Sequence, residues 1–337
     1  MRIKLAHGSG GVETHELIDK LVRNIVKKPS VKNGVGLREM DDGATIPTHD
    51  VHIVVTTDSY TVNPIFFPGG NIGSLAATGT LNDLAVMGAE PLAVLDSIVV
   101  EEGFPLDDLR TIVNSFVKIL EEENVSLIGG DFKVMPKGSL DKIIITATGI
   151  GVAKRILLDS NVKVGDKIIV SGTIGEHGAA IMAAQLGIDA DSEGLISDHK
   201  PLTRLMQKVL KIGGIHAAKD PTRGGLAMAL NEFAKKSKKI ILVYEESIPI
   251  RREVKAYCEM LGIDPMSLAC EGRVLLSVSG EKAEEVLEKL HSIGYKDAAI
   301  IGDVKKEEEN GNVVIKTISG GMRILEPPMG EIVPRIC

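Results

Sequence analysis

The sequence predicts a two-domain α+β protein with an extended C-terminal tail, and three observations carry that expectation. β-Branched runs such as HIVVTT (52–57) and KIIVS (167–171) are interleaved with segments of helical apolar spacing. A length of 337 residues is long for one domain and comfortable for two. The chain ends PPMGEIVPRIC, and no helix runs through Pro327, Pro328 and Pro334.

The elements follow in order. His52 to Thr57 reads as a strand that stops at Asp58, and Asn71 to Ala89 as a helix with Ile72, Leu75, Leu81, Leu84 and Met87 at mostly helical spacing. Leu106 to Glu123 reads as a charged helix, followed by a short strand (125–128), the turn-like Gly129-Gly130-Asp131, and a strand from Ile143 to Val152. Polar residues then intervene, which places a boundary at 153–161 and gives domains 1–155 and 156–325 with a tail 326–337. The second half predicts strands at 167–171, 240–244 and 273–279, and helices at 177–186, 202–211, 225–236 and 281–292. The charged run Lys305 to Glu309 reads as a solvated loop.

Composition narrows the function. The hydrophobic fraction of 44% and charged fraction of 25% are ordinary for a globular protein, and no run of 18 apolar residues exists to span a membrane. A net charge of -7, without interleaved basic and aromatic residues, argues against nucleic acid. Three cysteines (Cys258, Cys270, Cys337) make no disulfide framework or zinc pattern, and the N-terminus lacks an apolar leader core, so a cytoplasmic location is expected. Cys258 and Cys270 sit in apolar segments and read as structural.

Five segments set aspartate beside glycine or at the end of an apolar run: Asp41-Asp42-Gly43, Asp58, Asn82-Asp83, Gly130-Asp131 and Asp220-Pro-Thr-Arg-Gly-Gly. Singly each is a turn. Together they suit Mg²⁺, which takes few carboxylates and leaves room for phosphate oxygens. Asp83 is the most telling, because it interrupts an apolar helical pattern where burial needs a partner. Glycine segments at His7-Gly-Ser-Gly10-Gly11, Gly69-Gly70 and Thr222-Arg223-Gly224 let backbone N–H groups approach an anion, and the last precedes a helix. No GxxxxGK[ST] or strand-following GxGxxG is present. Lys133, two residues after Asp131, is a candidate phosphate partner or else a surface lysine. Glu271, between an apolar stretch and a strand, is a candidate base with a raised pKa, or else the partner of Arg273 in a buried ion pair. Eleven extended residues reach roughly 30–35 Å, enough to carry the Cys337 thiol into a cleft or out to a partner.

The segments HGSGG (7–11), TTDSYTVNPIFFPGGNIG (56–73), GTLNDLAVMGA (79–89), IGGDFKV (128–134), VGDKIIVSGTIGEHG (164–178) and DPTRGGLA (220–227) together resemble the aminoimidazole ribonucleotide synthetase-like ATP-binding superfamily. The PRIC ending is similar, within it, to the hydrogenase expression/formation family HypE. The resemblance covers essentially the whole chain, and PRIC is its most specific part. It implies a two-domain aminoimidazole ribonucleotide synthetase-like fold, a homodimer that pairs its N-terminal sheets, and ATP with Mg²⁺ in the domain cleft. It implies that Cys337 accepts a carbamoyl group from the carbamoyltransferase HypF, that ATP drives its dehydration to a thiocyanate, and that the cyano group passes to iron on HypC–HypD. Carried over, Asp42, Asp58, Asp83 and Asp220 match Mg²⁺–ATP positions, with Asp131 an addition and the choice between Asp41 and Asp42 open. Asn82 belongs to the nucleotide-site motif in the same way. Two other readings compete: a synthetase or kinase of this superfamily with a free substrate, which would have no use for a terminal cysteine, and an adaptor without ATPase activity, which need not keep an aspartate in an apolar helix.

Overall fold

A computed structural model describes residues 2–188, 194–330, 333 and 335–337. In the first half, α1 (Val12–Ile18) is followed by β1 (Ala44–Pro47), β2 (His52–Tyr60), the two-residue strands β3 (Phe66–Phe67) and β4 (Gly70–Asn71), α2 (Ile72–Val86), β5 (Glu90–Glu101), α3 (Leu106–Glu122), β6 (Ser126–Met135) and β7 (Ile143–Ala153). The second half holds β8 (Lys167–Val170), α4 (Glu176–Gln185), α5 (Thr203–Val209), β9 (Ile215–Lys219), α6 (Gly225–Ser237), β10 (Lys239–Tyr244), α7 (Arg252–Leu261), β11 (Leu275–Val278), α8 (Ala283–Ser292), β12 (Ala299–Glu307), β13 (Asn312–Lys316) and β14 (Met322–Ile324). They form one five-stranded sheet, ordered β1-β2-β7-β5-β6, and one seven-stranded sheet, ordered β14-β13-β10-β12-β8-β11-β9.

α2 joins the halves. It packs on β2, β7 and α3 on one side and on α5 and β9 of the second half on the other. Fourteen of its fifteen residues are therefore buried; Asp83 is the exception, and a helix apolar all round is what such a position requires. Asn71 caps it by accepting from the N–H groups of Gly73 and Ser74. α3 is amphipathic instead, with Ile112, Phe116 and Leu120 on its buried stripe and Asp107 and Asp108 in its first turn, where the helix dipole favours them. Burying those three side chains is worth about 6 kcal/mol before entropy.

Three elements differ from the sequence expectations. Gly129-Gly130-Asp131 is not a turn but lies inside β6, where Gly130 is required because a Cβ would strike Asp96 of the neighbouring strand. Lys305–Glu307 extends β12 instead of forming a loop, with Lys305 paired to Asp303 at 2.7 Å. β5 escaped the sequence reading, its apolar run being broken by Pro91 and Asp96.

The tail leaves β14 without regular structure, and Pro334 lies outside the described residues. Asn231 Nδ2 donates to the Leu325 carbonyl (2.9 Å), Gly330 N–H donates to Glu13 (3.0 Å), and Val333 is buried in the apolar cluster of Tyr60, Val62 and Leu268. The chain end then enters the region between the two halves.

Candidate active site

The alternation of β2 turns Val54, Thr56, Asp58 and Tyr60 to the face covered by α2. Thr56 Oγ1 lies 2.7 Å from Asp83 Oδ2 and 3.0 Å from the Asp42 carbonyl, so one hydroxyl ties β2, α2 and the loop before β1 together. From the second half, Asp220 follows β9 and Glu271 precedes β11; both are almost fully buried. Asp220 Oδ2 and Glu271 Oε1 have no hydrogen-bond partner. Burial raises the Asp220 carboxyl to about 8, with Asp42 adding to it. Burial, then Asp220 and Asp58, raises Asp83 well above the carboxylate range, and burial with Asp220, Asp198 and Asp58 does the same to Glu271. Asp42, Asp58, Asp83, Asp220 and Glu271 thus share one electrostatic neighbourhood although they come from five separate segments.

Arg223 is the cation that faces this group. Its Nη2 lies 3.7 Å from Asp58 Oδ1, and its pKa is raised, first by Cys337. Its loop depends on Gly224 and Gly225, both at positive φ (77° and 58°), and a Cβ on Gly225 would meet the Leu268 carbonyl at 2.4 Å. The Cys337 thiol enters the same field. Burial pushes it up to about 12, against the pull of Arg223 and with the push of Glu271, Asp58 and Asp83. Arg335 does not face the thiol; its Nε donates to the Thr61 carbonyl (2.7 Å) and its Nη1 pairs with Asp141.

A second set of carboxylates adjoins the first and is fully paired. Lys219 Nζ reaches Asp42 (2.6 Å), Asp159 (3.2 Å) and Glu232 (2.9 Å), and Lys236 Nζ reaches Asp41 and Asp159, each at 2.8 Å. The two adjacent aspartates are thereby distinguished: Asp41 turns to Lys236, while Asp42 borders a cleft of ≈ 200 Å³ with Lys219, Asp220, Thr222 and Arg223. Asp159, Lys219, Glu232 and Lys236 were missed in the sequence. Only Lys219, directly before Asp220 in an apolar run, left a signal.

Other sequence candidates find other places. Asp131 and Lys133 project from the same face of β6, paired to each other at 2.9 Å and exposed. The register Asp58–Ala147–Asp96–Gly130 sets them three strands from Asp58, about 14 Å away, so within one chain they do not join the cluster. Asn82 is a strut between the halves: its amide donates to the carbonyls of Glu271 (2.9 Å) and Lys200 (3.3 Å) and accepts from Leu202 N–H (2.8 Å). Gly69 and Gly70 are packed against residues 196–199, where a Cβ on Gly70 would lie 2.4 Å from His199. The segment 7–11 seats the tail rather than presenting open N–H groups. His7 Nδ1 accepts from Lys4, Gly10 N–H donates to Thr14 and packs on Arg223, Ser9 Oγ bonds Gly330, and Gly11 lies against Pro328. Glu271 is not the partner of Arg273, which binds Glu176 at 2.8 Å and Asp198 at 3.6 Å. Cys258 and Cys270 are buried, and burial raises both thiols, Cys258 to about 11.

The donor set fits a hard divalent cation. Carboxylate oxygens without partners repel one another until a positive charge arrives, and Mg²⁺ needs only one or two of them beside phosphate and water. Among the described residues no three His, Cys, Asp or Glu side chains are grouped so as to hold a metal ion by themselves. Among the described residues, too, no helix is long and apolar enough to cross a membrane.

Comparison with known proteins identifies the family. The model of the AIR synthase related protein N-terminal domain matches residues 40–153, and that of the C-terminal domain matches 163–315. Carbamoyl dehydratase HypE of Rhizobium leguminosarum bv. viciae is 40% identical over 342 residues, covering 100% of this chain and 95% of that protein. The crystal structure of a HypE–HypF complex holds a chain 41% identical, with a TM-score of 0.85 over 93% of this chain and 99% of that one. The crystal structure of HypE in complex with ATP is 38% identical and covers 100% of both chains with a TM-score of 0.82. The chain therefore belongs to the AIR synthase related family and, within it, to the HypE family of hydrogenase maturation proteins.

Proposed function

We propose that this chain is an ATP-dependent carbamoyl dehydratase of hydrogenase maturation, which converts a carbamoyl group carried on the Cys337 sulfur into a thiocyanate. The observation that carries the reading is the inward path of the tail, whose Cys337 carbonyl accepts from Thr61 and whose thiol feels the charges of Arg223, Glu271, Asp58 and Asp83. A free-substrate synthetase would have to displace that tail to admit its substrate.

The chemistry follows from the groups present. An S-carbamoyl group, S–C(=O)–NH₂, becomes S–C≡N by losing its oxygen and two protons. The oxygen departs as phosphate once the γ-phosphoryl group of ATP has been transferred to it, and the protons leave nitrogen. Glu271 would accept them, a reading supported by an Oε1 without a partner and by the greater basicity of a carboxyl of raised pKa once ionised. Arg223 would hold the oxygen as its negative charge grows. Asp42, Asp58, Asp83 and Asp220 would hold Mg²⁺, which supplies the positive charge that neutralises phosphate oxygens and lowers the pKa of the surrounding carboxyls.

HypF fits as the carbamoyl donor and a HypC–HypD complex as the cyanide acceptor, both reached when the tail swings out. A cytoplasmic location fits a chain that must keep a free thiol. Two copies are inferred to pair through β6, an open edge strand with Phe132 50% and Val134 59% exposed. Such pairing would also bring Asp131 and Lys133 of one copy toward the other, the route by which they could still serve a phosphate.

Intact-mass measurement tests the reading. The protein incubated with HypF, carbamoyl phosphate and ATP is expected to gain one carbamoyl group and then lose one water, with Cys337→Ala inert. ATP turnover by Cys337→Ala on a free small molecule would replace this reading with the synthetase one.

A further inference from the structure

The inward position of the tail is specified by its backbone. Asn63 N–H donates to the Arg335 carbonyl (3.0 Å), and Thr61 donates to the Cys337 carbonyl through N–H (3.0 Å) and Oγ1 (3.1 Å). This is the alternation of an antiparallel pair, so the Ile336 carbonyl points the other way. His177, fully buried in the first turn of α4, takes it: Nε2 lies 2.9 Å from Ile336 O.

The other side of the imidazole is wired into a buried chain. His177 Nδ1 is 2.7 Å from Ser197 Oγ, Ser197 Oγ is 3.0 Å from His199 Nδ1, and His199 Nε2 is 3.0 Å from Ser74 Oγ. Phe67 sets its ring edge-on to both imidazoles, with centroids at 5.6 and 5.5 Å. The proton positions follow from the ends. A carbonyl only accepts, so Nε2 of His177 carries the hydrogen and Nδ1 accepts from Ser197. Ser197 Oγ also lies within reach of His199 Nδ1, and His199 Nε2 lies 3.0 Å from Ser74 Oγ, whose hydroxyl donates to the Asn71 carbonyl (2.8 Å) and whose oxygen accepts from Asn71 N–H. Burial favours the neutral form of both rings and lowers His199 to about 4. With the tail outside, the His177 Nε2–H would keep no partner that this structure provides.

We propose that His177 is a positioning residue for the dehydration step: through Ile336 O it latches the tail inward and so holds the Cys337 sulfur at Glu271 and Arg223, while loading of the thiol, which occurs with the tail outside, does not need it. The role rests on the dehydratase reading, but the latch can be measured without it.

The first measurement is alkylation of the unmodified protein by iodoacetamide, followed by mass per cysteine. His177→Ala is expected to speed Cys337 alkylation about tenfold, the worth of one buried hydrogen bond, with Cys258 and Cys270 protected as in wild type. His177→Gln, which restores a donor near the Nε2 position, is expected to recover most of the protection. In single turnover, His177→Ala should carbamoylate at the wild-type rate or faster and dehydrate about tenfold more slowly. Equal Cys337 alkylation in wild type and His177→Ala would overturn the latch, as would loading and dehydration falling by the same factor. If His177→Ala also exposes Cys258 and Cys270, Ser197→Ala decides: faster alkylation at Cys337 alone supports the latch, and no change refutes it. If alkylation behaves as expected but wild-type protein never loses water, the latch stands and the dehydratase reading falls.

Discussion

Two groups of carboxylates lie side by side in this molecule, and they differ in the cations that partner them. Asp159 is inaccessible yet held below its ordinary pKa: burial alone would raise it, and the ammonium groups of Lys219 and Lys236 outweigh burial. Asp58, Asp83 and Glu271 have Arg223 as the cation beside them, Asp220 feels Lys219 instead, and burial outweighs both cations so that all four carboxyls are raised. A paired set is scaffold, because its charges are balanced within the chain. An unpaired set costs stability, and the proposed Mg²⁺ would complete it. Asp42 stands at the border, bonded to Lys219 while its charge raises Asp83 and Asp220.

The largest effect should come from breaking the paired set. Lys219→Met would leave Asp42, Asp159 and Glu232 without their shared ammonium, and a loss of about 3–5 kcal/mol in urea unfolding is expected. A loss under about 1 kcal/mol would mean that the network is not scaffold.

The unpaired set should respond in the other direction. Asp220→Asn removes one repelling carboxyl and is expected to stabilise the nucleotide-free protein by roughly 1–2 kcal/mol near pH 8 while abolishing ATP turnover. The sign is set by a folded pKa of about 8, above the ordinary carboxylate value. The stability contributed by this carboxyl is full below the unfolded pKa of about 4 and is lost as pH rises through the folded one. The advantage of Asp220→Asn over wild type should therefore grow from pH 6 to pH 8 in thermal unfolding. A constant or shrinking advantage would place Asp220 among the paired residues.

The smallest effect separates both sets from the open edge. Lys133→Ala, whose ammonium touches only exposed Asp131, should change the stability of a single chain by less than about 0.5 kcal/mol. A larger loss, measured in the same urea titration at dilution, would show that β6 is covered.

This contrast was only partly legible in the sequence. Asp58 and Asp83 could be found because each interrupts an apolar pattern, and Cys337 because of the proline-punctuated PRIC segment that carries it. The strand and helix around them were equally plain, β2 from its β-branched residues and α2 from its spacing. What could not be read was partnership. Lys236 lies 77 residues from Asp159 along the chain, and only folding brings them to 2.8 Å. Asn82 beside Asp83 resembled a ligand and is a strut, since its partners at Glu271 and Leu202 are equally remote. Glycine misled as well: Gly129-Gly130 signals a turn, whereas here Gly130 admits the close approach of Asp96 on an edge strand.

The central claim is that the unpaired carboxyls around the terminal thiol form the dehydration site, with Glu271 as the base. Intact-mass measurement of Glu271→Gln, incubated with HypF, carbamoyl phosphate and ATP, tests it most directly. The variant is expected to take up one carbamoyl group on Cys337 and to keep it, with dehydration slowed at least about a hundredfold. Loss of water at the wild-type rate would contradict it.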